Sequence, residues 1–411
     1  MDQLLRDHAN AIVEASIKAV LPDEAVRRAL DGQEVPGRVL LVSAGKAAWQ
    51  MAKAAYDFWG DRIENGVVVT KYDHVMGPIG NFSCYEAGHP VPDENSFRGT
   101  QAALDLVSDL TEQDTVLFLL SGGGSALFEK PLVPGEVLQD VTGQLLACGA
   151  DIVEINTIRK RLSAVKGGRF AQLCAPAKVF SIVLSDILGD PLDMIASGPA
   201  VPDTATKEQA IAIAKKYSLK LTDEVWALLE KETPKELDNV TTQINGSVKE
   251  LCVAAAAACR ELGYEPIMLT DQLCCQAKEA GSFLASVLKT HAGQGKNLAF
   301  LAGGETVVQL TGKGKGGRNQ ELALAAAAGI SGIAGTAVFS VGSDGTDGPT
   351  DAAGGYTDYQ TAGELKAQGI EIFDVLQQND AFHALQKVGG LIYTGPTGTN
   401  VNDVAVALLK A

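Results

Sequence analysis

What this 411-residue sequence lacks narrows its function early. Its seven cysteines (84, 148, 174, 252, 259, 274 and 275) are odd in number, irregularly spaced and contain no CxxC pair, so neither a disulfide framework nor a zinc site is expected. Free thiols in a reducing, cytoplasmic setting fit better. Five histidines (8, 74, 89, 291 and 383) show no metal-ligand spacing, and only His89, in GHPVPDENS, stands in a turn-rich loop beside candidate chemistry as a substrate-side contact. No apolar run nears the roughly 18 to 20 residues of a membrane span, and the opening stretch MDQLLRDHANAIVEASIKAV reads as an amphipathic helix, not a signal peptide. Positive charge is scarce: 34 Lys and Arg against 50 Asp and Glu leave a net charge of −16. That average field repels nucleic acid, yet it admits a small anionic substrate where a few cations converge.

Familiar signatures are missing too. No GxxxxGK[ST] marks a P-loop, no HRD or DFG a protein kinase, and no GxSxG a hydrolase elbow. No GxGxxG follows a first strand with an acidic partner downstream.

What is present is an alternation. Val39–Val42, Val67–Thr70, Val116–Leu120 and Val179–Leu184 are short, apolar and β-branched, as in a parallel sheet covered on both faces. Between them lie the helical patterns Ala47–Trp59, Ser96–Asp109, Val137–Ala147 and Asn156–Leu173. After a polar helical passage over Thr204–Asp238 the alternation resumes with strands at Glu265–Leu269, Leu298–Leu301, Val307–Leu310 and Ala337–Val341, and helices at Ser247–Leu262, Gln276–His291 and Gln320–Gly329. The expected fold class is therefore α/β: a doubly wound, Rossmann-like, mostly parallel sheet over residues 1–240, then a smaller α/β domain over 241–411. An interdomain cleft is expected between them, and a final helix that could pack on the first domain.

Chemistry-bearing residues gather where strands turn into helices. LLVSAGKAAWQ places Gly45 in a tight turn and Lys46 at a helix start, where free N–H groups attract anions and a cation is otherwise disfavoured. LLSGGGSAL puts Ser121, Gly122, Gly123, Gly124 and Ser125 after an apolar strand, a backbone cradle for an oxyanion or phosphate. EINTIRKRLSAVKGGRFA packs Arg159, Lys160, Arg161, Lys166 and Arg169 together, either an anion site or a solvated or interdomain face. SDILGDPLDMIASGP delivers Asp186 and Asp190 at a strand end, as Mg²⁺ ligands or as one base and one ligand, against the plainer reading of turn capping. In the second half, GGETVVQLTGKGKGGRNQ offers Glu305, Arg318 and Asn319; SVGSDGTDGPTD offers Asp344, Asp347 and Asp351; TGPTGTNVND offers Thr397 among glycines.

These blocks, in this order from about residue 43 to 403, resemble the glycerate 2-kinase family, whose second half is called the MOFRL domain. The resemblance implies ATP-dependent phosphorylation of D-glycerate to 2-phosphoglycerate with Mg²⁺. It carries the family's proposed catalytic cations onto Lys46 and Arg318. SDILGDPLDMIASGP is shorter than the family's usual form, with a single Asp before Pro191, which leaves the division of roles between Asp186 and Asp190 open. On this reading Lys46 and Arg318, one per domain, flank the γ-phosphoryl group and Asp190 takes the hydroxyl proton. Ser121–Ser125, Arg159, Lys166, Asn319, Glu305 and Thr397 hold phosphate or substrate, and Asp186, Asp347 and Asp351 hold Mg²⁺. The expected partners are D-glycerate and ATP, without nucleic acid or membrane and with a homodimer left open. Two alternatives stand beside it: an NAD(P)H-dependent hydroxypyruvate reductase, a name some members carry, and a non-catalytic sugar-acid binding protein.

Overall fold

The computed structural model describes residues 1–35 and 37–411, and they divide into two compact units. The first comprises Ala25–Ser185 and Asp190–Asn245; the second comprises Met1–Glu24, Asp186–Gly189 and Gly246–Ala411.

The first unit is built on strands β1 (Val39–Ala44), β2 (Ile63–Lys71), β3 (Ser83–Ala87), β4 (Thr115–Leu120), β5 (Lys178–Leu184) and β6 (Val240–Gly246), in the order β3-β2-β1-β4-β5-β6. The pairs β1–β2, β2–β3, β1–β4 and β4–β5 are parallel. Every residue of β1 and β4 is buried, which is why both strands are apolar without alternation. Leu41, Leu117, Leu119 and Ile182 pack with Ala48, Met51, Ala52 and Ala55 of the helix Ala48–Trp59. The chain winds outward from β1 to β3, then from β4 to β6, so the strand order reverses between β1 and β4. Crevices at such reversal points are where open α/β sheets bind ligands.

Two expectations for this unit need correcting. The helix expected over Asn156–Leu173 is two, Ile152–Arg161 and Arg169–Cys174, because Gly167 and Gly168 adopt left-handed φ of 59° and 84° between them. The stretch Thr204–Asp238 is not a passage between domains. Its helices Lys207–Lys216 and Asp223–Leu229 bury Ala210, Ala214, Val225 and Leu229 against Leu138, Leu145 and Ile158 of the first unit.

The second unit holds β7 (Glu265–Leu273), β8 (Leu298–Gly304), β9 (Thr336–Gly342), β10 (Gly354–Asp358), β11 (Leu391–Ile392) and β12 (Asp403–Leu409), ordered β11-β10-β9-β12-β8-β7. Only β7–β8 is parallel; the other four pairs are antiparallel. The expected final helix is therefore corrected to a strand, β12, buried throughout between β8 and β9. The strand expected at Val307–Leu310 is absent: Val307 and Leu310 are 55% and 82% exposed. Residues 1–24 depart from the expected 1–240 division. The helix Gln3–Ala19 sends Leu5, Ala9, Ile12, Val13 and Ile17 into the core of the second unit, beside Leu251, Ala255 and Cys259 of the helix Val248–Glu261. Each larger side chain so buried contributes about 1.5 to 3 kcal/mol, enough to fix the helix there. Among the described residues no helix is long and apolar enough to cross a membrane.

Candidate functional site

In the first unit, the corners that follow β1 and β4 are joined. The Lys46 amide donates to the Gly122 carbonyl at 2.9 Å, Ser121 N donates to Ala44 O at 3.0 Å, and the Ser121 hydroxyl accepts from Ala47 N at 3.0 Å. Gly45, with φ of 124°, is required here, since a Cβ would stand 2.5 Å from the Ser121 carbonyl oxygen. Gly123, with φ of 85°, is flanked by Lys46 and His89, each with a side-chain carbon 3.1 Å from where its Cβ would be. The half-buried Lys46 ammonium has no hydrogen-bond or ion-pair partner among the described residues. His89 is held below its ordinary pKa, first by burial and then by the charges of Lys46 and Lys71, so it is neutral at neutral pH. A neutral imidazole, an unpaired ammonium and a glycine turn meet at the sheet's reversal point, an arrangement suited to an anion.

Behind that corner lies a turn of unusual backbone. Ala196, Ser197 and Gly198 carry consecutive left-handed φ values of 50°, 61° and 64°. Two of these residues bear side chains that disfavour such angles, and strain of this kind collects at functional sites. Ser197 Oγ donates to Asn156 Oδ1 at 3.0 Å and lies 3.3 Å from Ser125 Oγ. Asp190, also left-handed at φ 51°, has a buried Oδ1 without a hydrogen-bond partner among the described residues.

The cation cluster separates into different roles. Lys160 and Arg161 are buried on Asp203, Lys160 Nζ at 3.1 Å from Oδ1 and Arg161 Nη1 at 3.7 Å from Oδ2. Arg169 donates to the carbonyls of Lys160 and Arg161 at 3.0 and 3.3 Å. Lys166 is wholly enclosed, which corrects the expectation that it touches substrate: it donates to Phe128 O at 2.9 Å and lies 3.2 Å from Glu129. Burial pushes its ammonium down to about 8 despite Glu129. Arg159, mostly buried, donates to Ser125 O at 3.1 Å and lies 3.7 Å from Glu129.

In the second unit Arg318 opens the helix Arg318–Ile330. Asp403 at the start of β12 takes it in a bidentate grip, Nε to Oδ2 and Nη2 to Oδ1 at 3.0 Å, while Nη1 donates to Glu305 Oε1 at 2.8 Å. Burial works against the charge, but Asp403 and Glu305 more than offset it and raise the guanidinium pKa. Asn402, left-handed at φ 67°, links Glu305 Oε2 to the Asp186 carbonyl through its Nδ2, at 3.3 and 3.2 Å. Thr397 Oγ1 donates to Ser343 O at 2.6 Å. A cavity of about 960 Å³ opens beside Arg318, lined by Glu305, Thr306, Asp344, Thr346 and the glycines of the 312–317 loop, a volume suited to a small organic ligand.

Two expectations fail here. Asn319 is buried, and its amide and side chain donate to Asp347 Oδ1 at 3.1 and 3.3 Å, so it serves the helix start and not a ligand. Asp347 accepts that amide and the Gln320 amide at 2.9 Å, capping the helix with both oxygens, while burial pushes its carboxyl up to about 7 against those donors. Asp351 is exposed on its loop, and among the described residues no three His, Cys, Asp or Glu side chains gather as a metal site. Asp186, Asp347 and Asp351 are thus not a ready-made Mg²⁺ cage. The donor set fits only a metal that brings most of its oxygens with it, as Mg²⁺ on a nucleotide does. Asp186 and Asp190, adjacent in the sequence reading, fall in different units.

Sequence reasoning gave no role to Asp403, Asn402, Glu129, Asn156 or Ser197. Asp403 and Asn402 stood inside a quoted block, NVND, but their partner Arg318 lies 85 residues from Asp403.

Comparison with known proteins adds the following. Residues 8–230 match a family model described as a domain of unknown function (DUF4147), and residues 298–403 match the MOFRL family. A Thermotoga maritima protein named D-glycerate 2-kinase is 52% identical, over 98% of this chain and 98% of its own. An Agrobacterium vitis protein under the provisional name hydroxypyruvate reductase is 37% identical, over 91% of this chain and 100% of its own. A crystal structure of a glycerate kinase from Thermotoga maritima superposes with a TM-score of 0.94 at 51% identity, covering all of both chains.

Proposed function

The chain belongs to the glycerate 2-kinase family, and from that membership we propose that it transfers the γ-phosphoryl group of ATP to the 2-hydroxyl of D-glycerate, giving 2-phosphoglycerate and ADP. The observation that carries the site-level reading is Lys46. An ammonium without a protein partner stands beside a glycine corner at the reversal point of a parallel sheet, where an anion would supply the missing charge.

Phosphoryl transfer asks a protein mainly for positioning and for positive charge around the moving group. Lys46 offers such a charge in the first unit and Arg318 offers one in the second. Arg318 is pre-oriented by Asp403 and Glu305, so little freedom is lost when an anion replaces or joins those partners. The amides of Gly122, Gly123 and Ser125, which donate to no backbone carbonyl, hold a phosphate or the glycerate carboxylate. Asp190, with its unpartnered oxygen, accepts the proton leaving the 2-hydroxyl as the O–P bond forms. Asp186 would help to hold Mg²⁺, which would neutralise charge on the nucleotide phosphates. The cysteines of the cores, Cys174, Cys252 and Cys259, are free thiols, which supports action in a reducing cytoplasm.

The deciding assay incubates the protein with ATP, Mg²⁺ and D-glycerate and resolves 2- from 3-phosphoglycerate. Accumulation of the 2-phosphate is expected; no ATP-dependent product would end the proposal. The name of the Agrobacterium relative favours a second reading, and oxidation of NADH by hydroxypyruvate without ATP would support it. The sequence has no dinucleotide fingerprint after β1, which weighs against that reading.

A further inference from the structure

Directly behind the glycine corner is a buried charge cluster that no ligand-binding role explains. Glu129 is fully buried, and its carboxylate is met by cations alone. It is flanked by Lys166 Nζ at 3.2 Å and Arg159 Nη2 at 3.7 Å. An enclosed carboxylate costs several kcal/mol in desolvation and is retained only with compensating charge. Each cation also donates one hydrogen bond to the same piece of backbone. Arg159 donates to Ser125 O at 3.1 Å and Lys166 donates to Phe128 O at 2.9 Å. Those carbonyls belong to the short helical turn Gly124–Leu127 and the residue after it. The same turn continues directly from the glycine corner, so the two cations hold carbonyls at Ser125 and Phe128, immediately after it. The residues after Lys166 are tied down as well. Gly167 N donates to Ser197 O at 3.0 Å and Gly168 N to Gly198 O at 2.7 Å, anchoring the cluster to the left-handed turn that abuts Gly124.

We propose that Glu129, Lys166 and Arg159 form a positioning clamp that fixes the free amides of Gly122, Gly123 and Ser125 for the bound anion, and that turnover depends on this clamp although Glu129 and Lys166 touch no ligand. The proposal rests on reading the glycine corner as the anion holder. Glu129 neutralises two like charges that otherwise repel, and so lets both cations approach adjacent carbonyls. The cations supply donors for carbonyls that a turn of this length leaves without partners. Displacing a reacting group by about 1 Å is enough to cost on the order of 100-fold in rate, so loosening this turn should be visible in kinetics before it is visible in stability.

The test separates positioning from mere structural support. Lys166→Met alone strands the Glu129 carboxylate and should lower Tm strongly. Adding Glu129→Gln removes the stranded charge, and the double variant should recover most of that Tm. Its kcat/KM for the ATP-dependent reaction with D-glycerate should stay about 10- to 100-fold down, because the donor to Phe128 O is still missing. Arg159→Met, which leaves the Lys166–Glu129 pair intact, should show a similar loss with little change in Tm. In both, amide hydrogen exchange over Gly122–Ser125 should quicken. If the double variant regains activity together with stability, or Arg159→Met keeps wild-type kcat/KM, the clamp is overturned; should the double variant not fold, Arg159→Met decides alone. Gly123→Ala tells the two failures apart. If it remains fully active, the glycine corner is not the anion holder. If it is inactive while Arg159→Met is unaffected, only the clamp falls.

Discussion

Lys46 and Arg318 were singled out for the same reason, a cation placed at a helix start, yet they differ in the company they keep. Lys46 has no protein partner among the described residues, whereas Arg318 is locked to Asp403 and Glu305. Their variants should therefore fail differently. Lys46→Met should lose on the order of 10² to 10³ in kcat with Tm unchanged, since no ion pair is broken. Arg318→Ala should lose on the order of 10³ in kcat and also about 3 kcal/mol or more of stability, because Asp403 is left buried and unpaired. Parallel kinetics and denaturant titrations check both; an Arg318→Ala protein of wild-type stability would show that the Asp403 pairing contributes nothing. The charge and position of each cation were legible in the sequence. Their partners were not, because a contact spanning 85 residues has no local trace.

At the scale of elements, what reads well is what is buried on both sides. β1, β4, β5, β8 and β9 are continuous apolar runs and were found, their ends extended by a residue or a few. β3 (Ser83–Ala87), half exposed at the sheet edge, carries too few apolar residues to stand out. β12, DVAVALL, is as apolar as a buried helix and reads equally as one, an ambiguity that periodicity cannot resolve in seven residues. Val307–Leu310 reads as a strand by composition but forms only an isolated bridge, Val307 with Gln276, and no ladder. Strand starts are held by polar residues with their own pH signature. Asp114, just before β4, accepts from Arg38 Nε at 3.0 Å, Arg38 Nη2 at 3.2 Å and Thr111 N at 2.6 Å, and these donors hold its carboxyl down at about 2. A depressed carboxyl stabilises the folded state above its unfolded pKa of roughly 4 and loses that contribution as pH falls toward 2. Urea midpoints should accordingly be lower for Asp114→Asn than for wild type at pH 6, with the gap closing as the titration is repeated towards pH 3. A gap independent of pH would show that the carboxylate is not what matters.

For the whole molecule, length and the alternation of strand and helix patterns indicate two α/β units, as the structure shows, but not how the chain is shared between them. The helix Gln3–Ala19 is amphipathic in sequence, and nothing local says which core its apolar face serves. Its membership of the second unit has a measurable outcome. Residues 246–411 expressed alone should fail to give a cooperative unfolding transition, since Leu5, Ile12, Val13 and Ile17 would be missing from their core. Asp2 and Ala411 line one cavity, so a short Gly-Ser linker from residue 411 back to residues 1–24 should restore the transition. Calorimetry on the two fragments decides, and equal behaviour would place the helix outside the core.

One consequence concerns the order of synthesis. Strand β12 sits between β8 and β9, so the sheet of the second unit has a gap at its middle until residues 403–409 have been made. The helix Gln3–Ala19 belongs to that same unit, and its apolar face must wait, unsatisfied, while about 220 intervening residues emerge and fold. Nascent chains stopped before residue 403 should engage holdase chaperones through that helix, and release should coincide with the emergence of residues 403–409.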